Sequence, residues 1–140
     1  MATDEVSPRA IIELALARDP DAIVNTSIEL LELLANSLIG MIGEQGFETL
    51  LFRSAHRVNL DFPWLIFDPR ARPADPEFHL LRRSFEAQDP AQAGAAIRLL
   101  FNTLFDILST LIGTHMTMLI LQSATGRVGV TKMSKEQDNG

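Results

Sequence analysis

At 140 residues the chain suits one domain and is long enough to bury a core without disulfides or metals. It has no cysteine, so a disulfide framework and Cys-ligated zinc are excluded, and a formal net charge of −6 argues against nucleic acid and anionic membranes as partners. A hydrophobic fraction of 46% is that of a globular protein, and MATDEVSPRA holds acids and no apolar run, so no signal peptide is expected.

The first helix is expected to start at Ser7-Pro8, where serine can cap and proline fits the first helical position. Ile11, Ile12, Leu14, Ala15 and Leu16 follow. Asp19-Pro20 closes that helix and opens a second, from about Pro20 to Arg57. Ile28, Leu31, Leu34, Ala35, Leu38, Ile42 and Leu50 form its buried stripe, with a longer gap near the glycines. Gly40, Gly43 and Gly46 each cost up to about 1 kcal/mol relative to alanine in a helix interior, and together they predict a kink or a close helix crossing.

Residues 59–76, NLDFPWLIFDPRARPADP, hold four prolines and form a connection rather than a helix. Its Phe62, Trp64, Leu65, Ile66 and Phe67 predict that it folds back over an open end of the bundle. A third helix is expected over Asp75–Gln88, with Phe78, Leu81 and Phe85 inward. Asp89-Pro90 opens the fourth, read as one continuous helix through Ile97–Ala124 and ending near Thr125-Gly126. Residues 127–140 are polar and read as a flexible tail. The apolar window from Phe105 to Leu121 holds Asp106 and His115. An acid at a helix centre costs about 2.5–3.5 kcal/mol on insertion, so no membrane span is expected.

A shift of seventy residues relates the two halves. It pairs Ala17, Asp19, Pro20, Leu30, Leu34, Leu38, Ile42 and Gly43 with Ala87, Asp89, Pro90, Leu100, Leu104, Leu108, Ile112 and Gly113. A one-residue slip then aligns Leu50, Ser54 and Ala55 with Leu119, Ser123 and Ala124. The predicted fold is all-α: a four-helix bundle of two duplicated hairpins, each a short helix plus a long one. The first hairpin covers residues 6–58 and the second 77–126. GFETLLFRSAHRV, FPWL and the second LIG followed by a Thr-containing apolar helix resemble a group of small all-helical bacterial proteins of no known activity, some found alongside signalling proteins. The resemblance covers most of the chain and implies a fold rather than a reaction.

Chemistry is sparse. His56, His79 and His115 fall in no metal spacing, and the glutamates supply no Glu-x-x-His pair for a di-iron bundle, so no metal or cofactor is expected. Glu32 and Asp106 lie on stripes of small and polar residues (Glu32, Asn36, Gly40, Gly43; Asn102, Asp106, Thr110, Gly113) that could frame a slot. With His115 they are the only catalytic candidates, and no convergent set is legible, so an enzyme is the least supported reading. Arg53 and Arg57, one turn apart, could receive an anionic partner, and Trp64 could anchor one. The 28 residues of Ile97–Ala124 span about 42 Å, more than one short helix per half can cover. The uncovered apolar strip predicts a homodimer through the long helices. The expected function is a cytoplasmic, non-enzymatic interaction or regulatory module, and the resemblance implies a tie to bacterial signalling. The alternative is a small-molecule sensor or carrier, its pocket lined by Phe101, Phe105, Leu108, Met116 and Met118, with His115 as polar handle.

Overall fold

The computed structural model describes residues 8–66 and 78–127, and all its regular structure there is helical. Helix α1 is Pro8–Ala17, and a 3-10 turn at Pro20–Ala22 leads into α2, Ile23–Asp61. Helix α3 is His79–Glu86, α4 is Pro90–Ile112 and α5 is Thr114–Arg127. The expected caps Ser7 and Asp75, Phe67 and the tail from residue 128 lie outside the described residues.

Local chemistry sets the boundaries. Asp89 is extended and its carboxylate accepts from the Gln92 amide at 2.9 Å, with Pro90 at the first helical position. That satisfies one of the amide donors that a helix start leaves open. Asp19 makes no side-chain cap, and the chain winds through a 3-10 turn before α2 begins. At the far end of α2 the Phe62 amide donates to the Val58 carbonyl at 2.7 Å. Asn59 then donates to the Leu65 carbonyl at 2.9 Å, which turns FPWL back onto the helices.

Both long segments break at a glycine. Gly43 interrupts α2 at φ 81°, ψ 167°, and Gly113 separates α4 from α5 at φ 90°, ψ 153°. This region of backbone space is essentially reserved for glycine. The second long helix, expected to be continuous, is therefore two helices. The cause is phase. Nine residues separate Leu38 from Phe47, and nine separate Leu108 from Thr117, and all four are fully buried. At 3.6 residues per turn, nine residues turn an unbroken helix by about 180°, which would put one buried stripe in solvent. A break resets the phase and returns both stripes to the core.

From 30–56 to 100–126 the burial class of each residue repeats at a constant shift of seventy, differing only at Gly46 and Met116. The one-residue slip read from identities is corrected by this register. Leu119, which it matched to the buried Leu50 (2% exposed), is 48% exposed, and Ile120 occupies the buried position. Ser54 and Ala55 correspond to Ala124 and Thr125, all buried.

One apolar cluster joins all five helices, with Phe47, Phe78, Phe85, Phe101 and Phe105 as its largest buried side chains. Each such side chain contributes about 1.5–3 kcal/mol when fully buried. Helix α2 packs chiefly on α4, α1 lies against α5 and α4 as well as α2, and α3 sits on α2. Glu13 of α1 and Arg98 of α4 form an ion pair at 2.8 Å. The few buried hydroxyls bond within their own helices: Ser54 donates to the Leu50 carbonyl and Thr117 to that of Gly113. The second of these satisfies a carbonyl at the break itself.

Candidate functional site

The break at Gly43 turns the following arm of α2 across the end of α4 and leaves a groove there. Gly46 lies on its floor: a Cβ at that position would sit 3.1 Å from the Ile42 side chain, so Ile42 leans over the space that glycine leaves. Leu50, Ile107, Ile112 and Leu111 complete the apolar wall of a groove of about 550 Å³ that opens to solvent. Leu111 is 62% exposed on its lip. Gln45, Thr49 and Arg53 line the same groove and are exposed. Arg53 makes no side-chain hydrogen bond or ion pair with any described residue. Arg57, one turn on, is held by Asp61 at 3.0 Å. Of the arginine pair singled out in the sequence, only Arg53 is free to receive a ligand.

The other sequence candidates are dispersed. Phe101, Phe105 and Leu108 are fully buried in the core, the two rings stacked at 6.1 Å. Met118 is half-buried against that core, whereas His115 and Met116 are exposed beyond the Gly113 break. The six residues expected to line one pocket thus occupy different environments, and what separates them is the break that a continuous helix would not have had. Trp64 packs edge-to-face on Phe62 and Phe85 at 5.8 and 6.1 Å. One side of it borders a shallow groove of about 290 Å³ with Ile66, Leu80 and Arg83. A third groove, about 250 Å³, lies between Ile11, Leu14 and Arg18 of the first short helix and its extension and Gln122, Thr125 and Gly126 of α5.

Asn36, Gly40 and Gly43, like Asp106, Thr110 and Gly113, face solvent, with Glu32 and Asn102 half-buried. The small and polar stripes therefore run along the outside rather than around an enclosed slot. His56 stacks on Phe52 at 6.2 Å, and His79 and His115 are exposed. Among the described residues no three His, Asp or Glu side chains gather as metal ligands. Helices α2 and α4 are long and apolar enough to cross a membrane by length and composition, with 39% of each apolar window buried.

Sequence reasoning missed the groove because its two walls are far apart in the chain. The available signal was the pairing of Gly43 with Gly113. Two chain breaks at matching places bring the residues beside them, Ile42 and Ile112, to one locus. The chain matches no protein-family model, and no curated protein or solved structure is significantly similar to it.

Proposed function

We propose that this chain is a non-enzymatic protein–protein interaction module, regulatory in kind, that works as a helical homodimer. Its scaffold on this reading is a four-helix bundle made of two copies of one hairpin. Support for the copying comes from the shared Gly43 and Gly113 backbone and from the burial register that repeats over 30–56 and 100–126. The likeness of GFETLLFRSAHRV and FPWL to small bacterial helical proteins points the regulatory role toward bacterial signalling.

One observation carries the dimer: Met41, Met116 and Leu119 are exposed at 45, 42 and 48%. By the seventy-residue correspondence they are the counterparts of Leu111, Gly46 and Thr49, which line one groove. The same place in the second half therefore carries large apolar side chains where the first half has a glycine and a threonine. On that correspondence the three side chains would form a ridge where the first half has a groove. Exposed apolar ridges of this kind serve as the centre of interfaces. The proposal places the molecule in the cytoplasm, with Arg98, Asp106 and Glu13 at the water-facing side of α4 and α1. A span through α4 would have to carry Arg98 and Asp106 into lipid.

Light scattering on the purified chain is expected to give twice the monomer mass over a hundredfold dilution. The double variant Met116→Glu, Leu119→Glu should give the monomer mass with unchanged helix content. A wild-type monomer, or a dimer that survives both glutamates, would end the proposal. Recovery only in detergent would end the cytoplasmic part of it.

A second reading, an apolar small-molecule sensor or carrier, is favoured by the groove. Its volume falls within the roughly 300–1,000 Å³ of ligand pockets.

A further inference from the structure

We infer that the groove between the second arm of α2 and the end of α4 binds a small amphiphile, one apolar chain ending in a single anionic group such as a carboxylate. The inference rests on the small-molecule reading and adds the ligand's chemistry. Three observations carry it. The wall built by Ile42, Leu50, Ile107, Leu111 and Ile112 offers dispersion and apolar contact and nothing for a polar ligand to grip. Among the described residues Arg53 is the only charged one in the lining, and none of its donors is used by another of them. Along the arm after the break the lining runs from Gly46 to Arg53, a rise of about 10 Å, with Arg53 at its far end.

Size selects a small molecule over a macromolecule. A stable protein partner covers about 800 Å² per side, whereas this groove is closed by nine residues over a few helical turns. Charge selects an anion. The molecule as a whole carries −6, so it does not attract small anions in general. A ligand takes most of its affinity from the wall and its sign preference from Arg53. A guanidinium matches a carboxylate with two parallel N–H donors. Gln45 and Thr49 stand on the same lining as further hydrogen-bonding groups.

The test is a titration of the full isotope-labelled chain, followed by amide chemical shifts. The probes are decanoate, decan-1-ol and decyltrimethylammonium, each below its aggregation concentration, with acetate as a chainless anion. Decanoate is expected to saturate one site, with the largest shifts at Gly46, Thr49, Arg53 and Leu111. Decanol should bind about tenfold more weakly and acetate not at all, since one charge-assisted hydrogen bond at a partly exposed site is worth about a factor of ten. Arg53→Gln should bring decanoate to the level of decanol. Leu111→Glu, on an exposed lip where folding is not at stake, should weaken decanoate by at least tenfold. Equal binding of decanoate and decanol, or no effect of Arg53→Gln, overturns the anionic head group and leaves the small-molecule reading standing. Saturation by none of the probes overturns both. Shifts centred on Met41, Met116 and Leu119 overturn the location.

Discussion

Gly43 and Gly113 take backbone angles that no L-residue holds comfortably, while Gly40, three residues upstream of the first break, is an ordinary helical position. A Cβ built on any of the three meets nothing within 4 Å, so space does not distinguish them and the backbone does. Gly43→Ala and Gly113→Ala are each expected to destabilise the fold by about 1–3 kcal/mol, the usual cost of holding a residue in a sparsely populated region. Gly40→Ala should stabilise it by about 0.5–1 kcal/mol, because alanine narrows the unfolded ensemble and suits a helix interior. Urea unfolding of the three variants measures all of this, and a stabilising Gly43→Ala would show that the break is not needed. Buried hydroxyls follow the opposite logic. Ser54 is fully buried but bonds only to its own helix, and its counterpart in the second half is Ala124. Ser54→Ala should therefore change stability by less than about 0.5 kcal/mol, since donor and partner carbonyl are both local.

The same contrast appears between elements that look alike in sequence. Asp19-Pro20 and Asp89-Pro90 read as one signal met twice, yet only Asp89 caps a helix through its side chain. Asp89→Ala is expected to cost about 1 kcal/mol, as a lost N-cap does, and Asp19→Ala less than half of that, both read from thermal unfolding. Equal costs would mean that the 3-10 turn hides a cap of the same strength. The helices themselves were legible in the sequence, because apolar spacing and the Asp-Pro breaks are local properties. So was a disturbance near Gly40, Gly43 and Gly46, though not which glycine carried it. The break at Gly113 was hidden because Met116, Met118, Leu119 and Ile120 resume the apolar run beyond it, with no proline between. Its trace was the nine-residue gap between buried positions, and identities obscured that gap: matching Leu50 to Leu119 bought one more leucine pair at the expense of the helical phase. Burial restores the constant shift, since it reports the face a residue takes rather than its name. The face expected to gather Phe101, Phe105 and Met116 is divided by the same break. Phe101 and Phe105 precede the break and Met116 follows it, so a face shared on a continuous helix is divided in the fold.

At the scale of the whole molecule, the short helices are exchanged between halves. Helix α1 lies against α4 and α5 of the second half as well as α2, and α3 sits on α2 of the first. The Glu13–Arg98 ion pair spans the same boundary. Exposed pairs of this kind contribute about 0.2–1 kcal/mol, so it fixes register more than it adds strength. Strength comes from the core, and the core is common property: Ile12 and Leu16 of α1 belong to one cluster with Leu100 and Leu121 of the second half. A half-chain loses the surface its short helix covers, together with the partner of its long helix. It has too little apolar area to bury for a chain of its size. Fragments 1–70 and 71–140, made separately, should therefore show helix content that falls on dilution, because each must borrow helices from a second molecule to fold. Mixed in equal amounts they should recover the far-ultraviolet circular dichroism of the intact chain and melt in a single transition. A first fragment that stays fully helical as a monomer, at any dilution, would mean that each half owns its core. The exchange of α1 and α3 would then be a matter of packing and not the reason the two halves stay together.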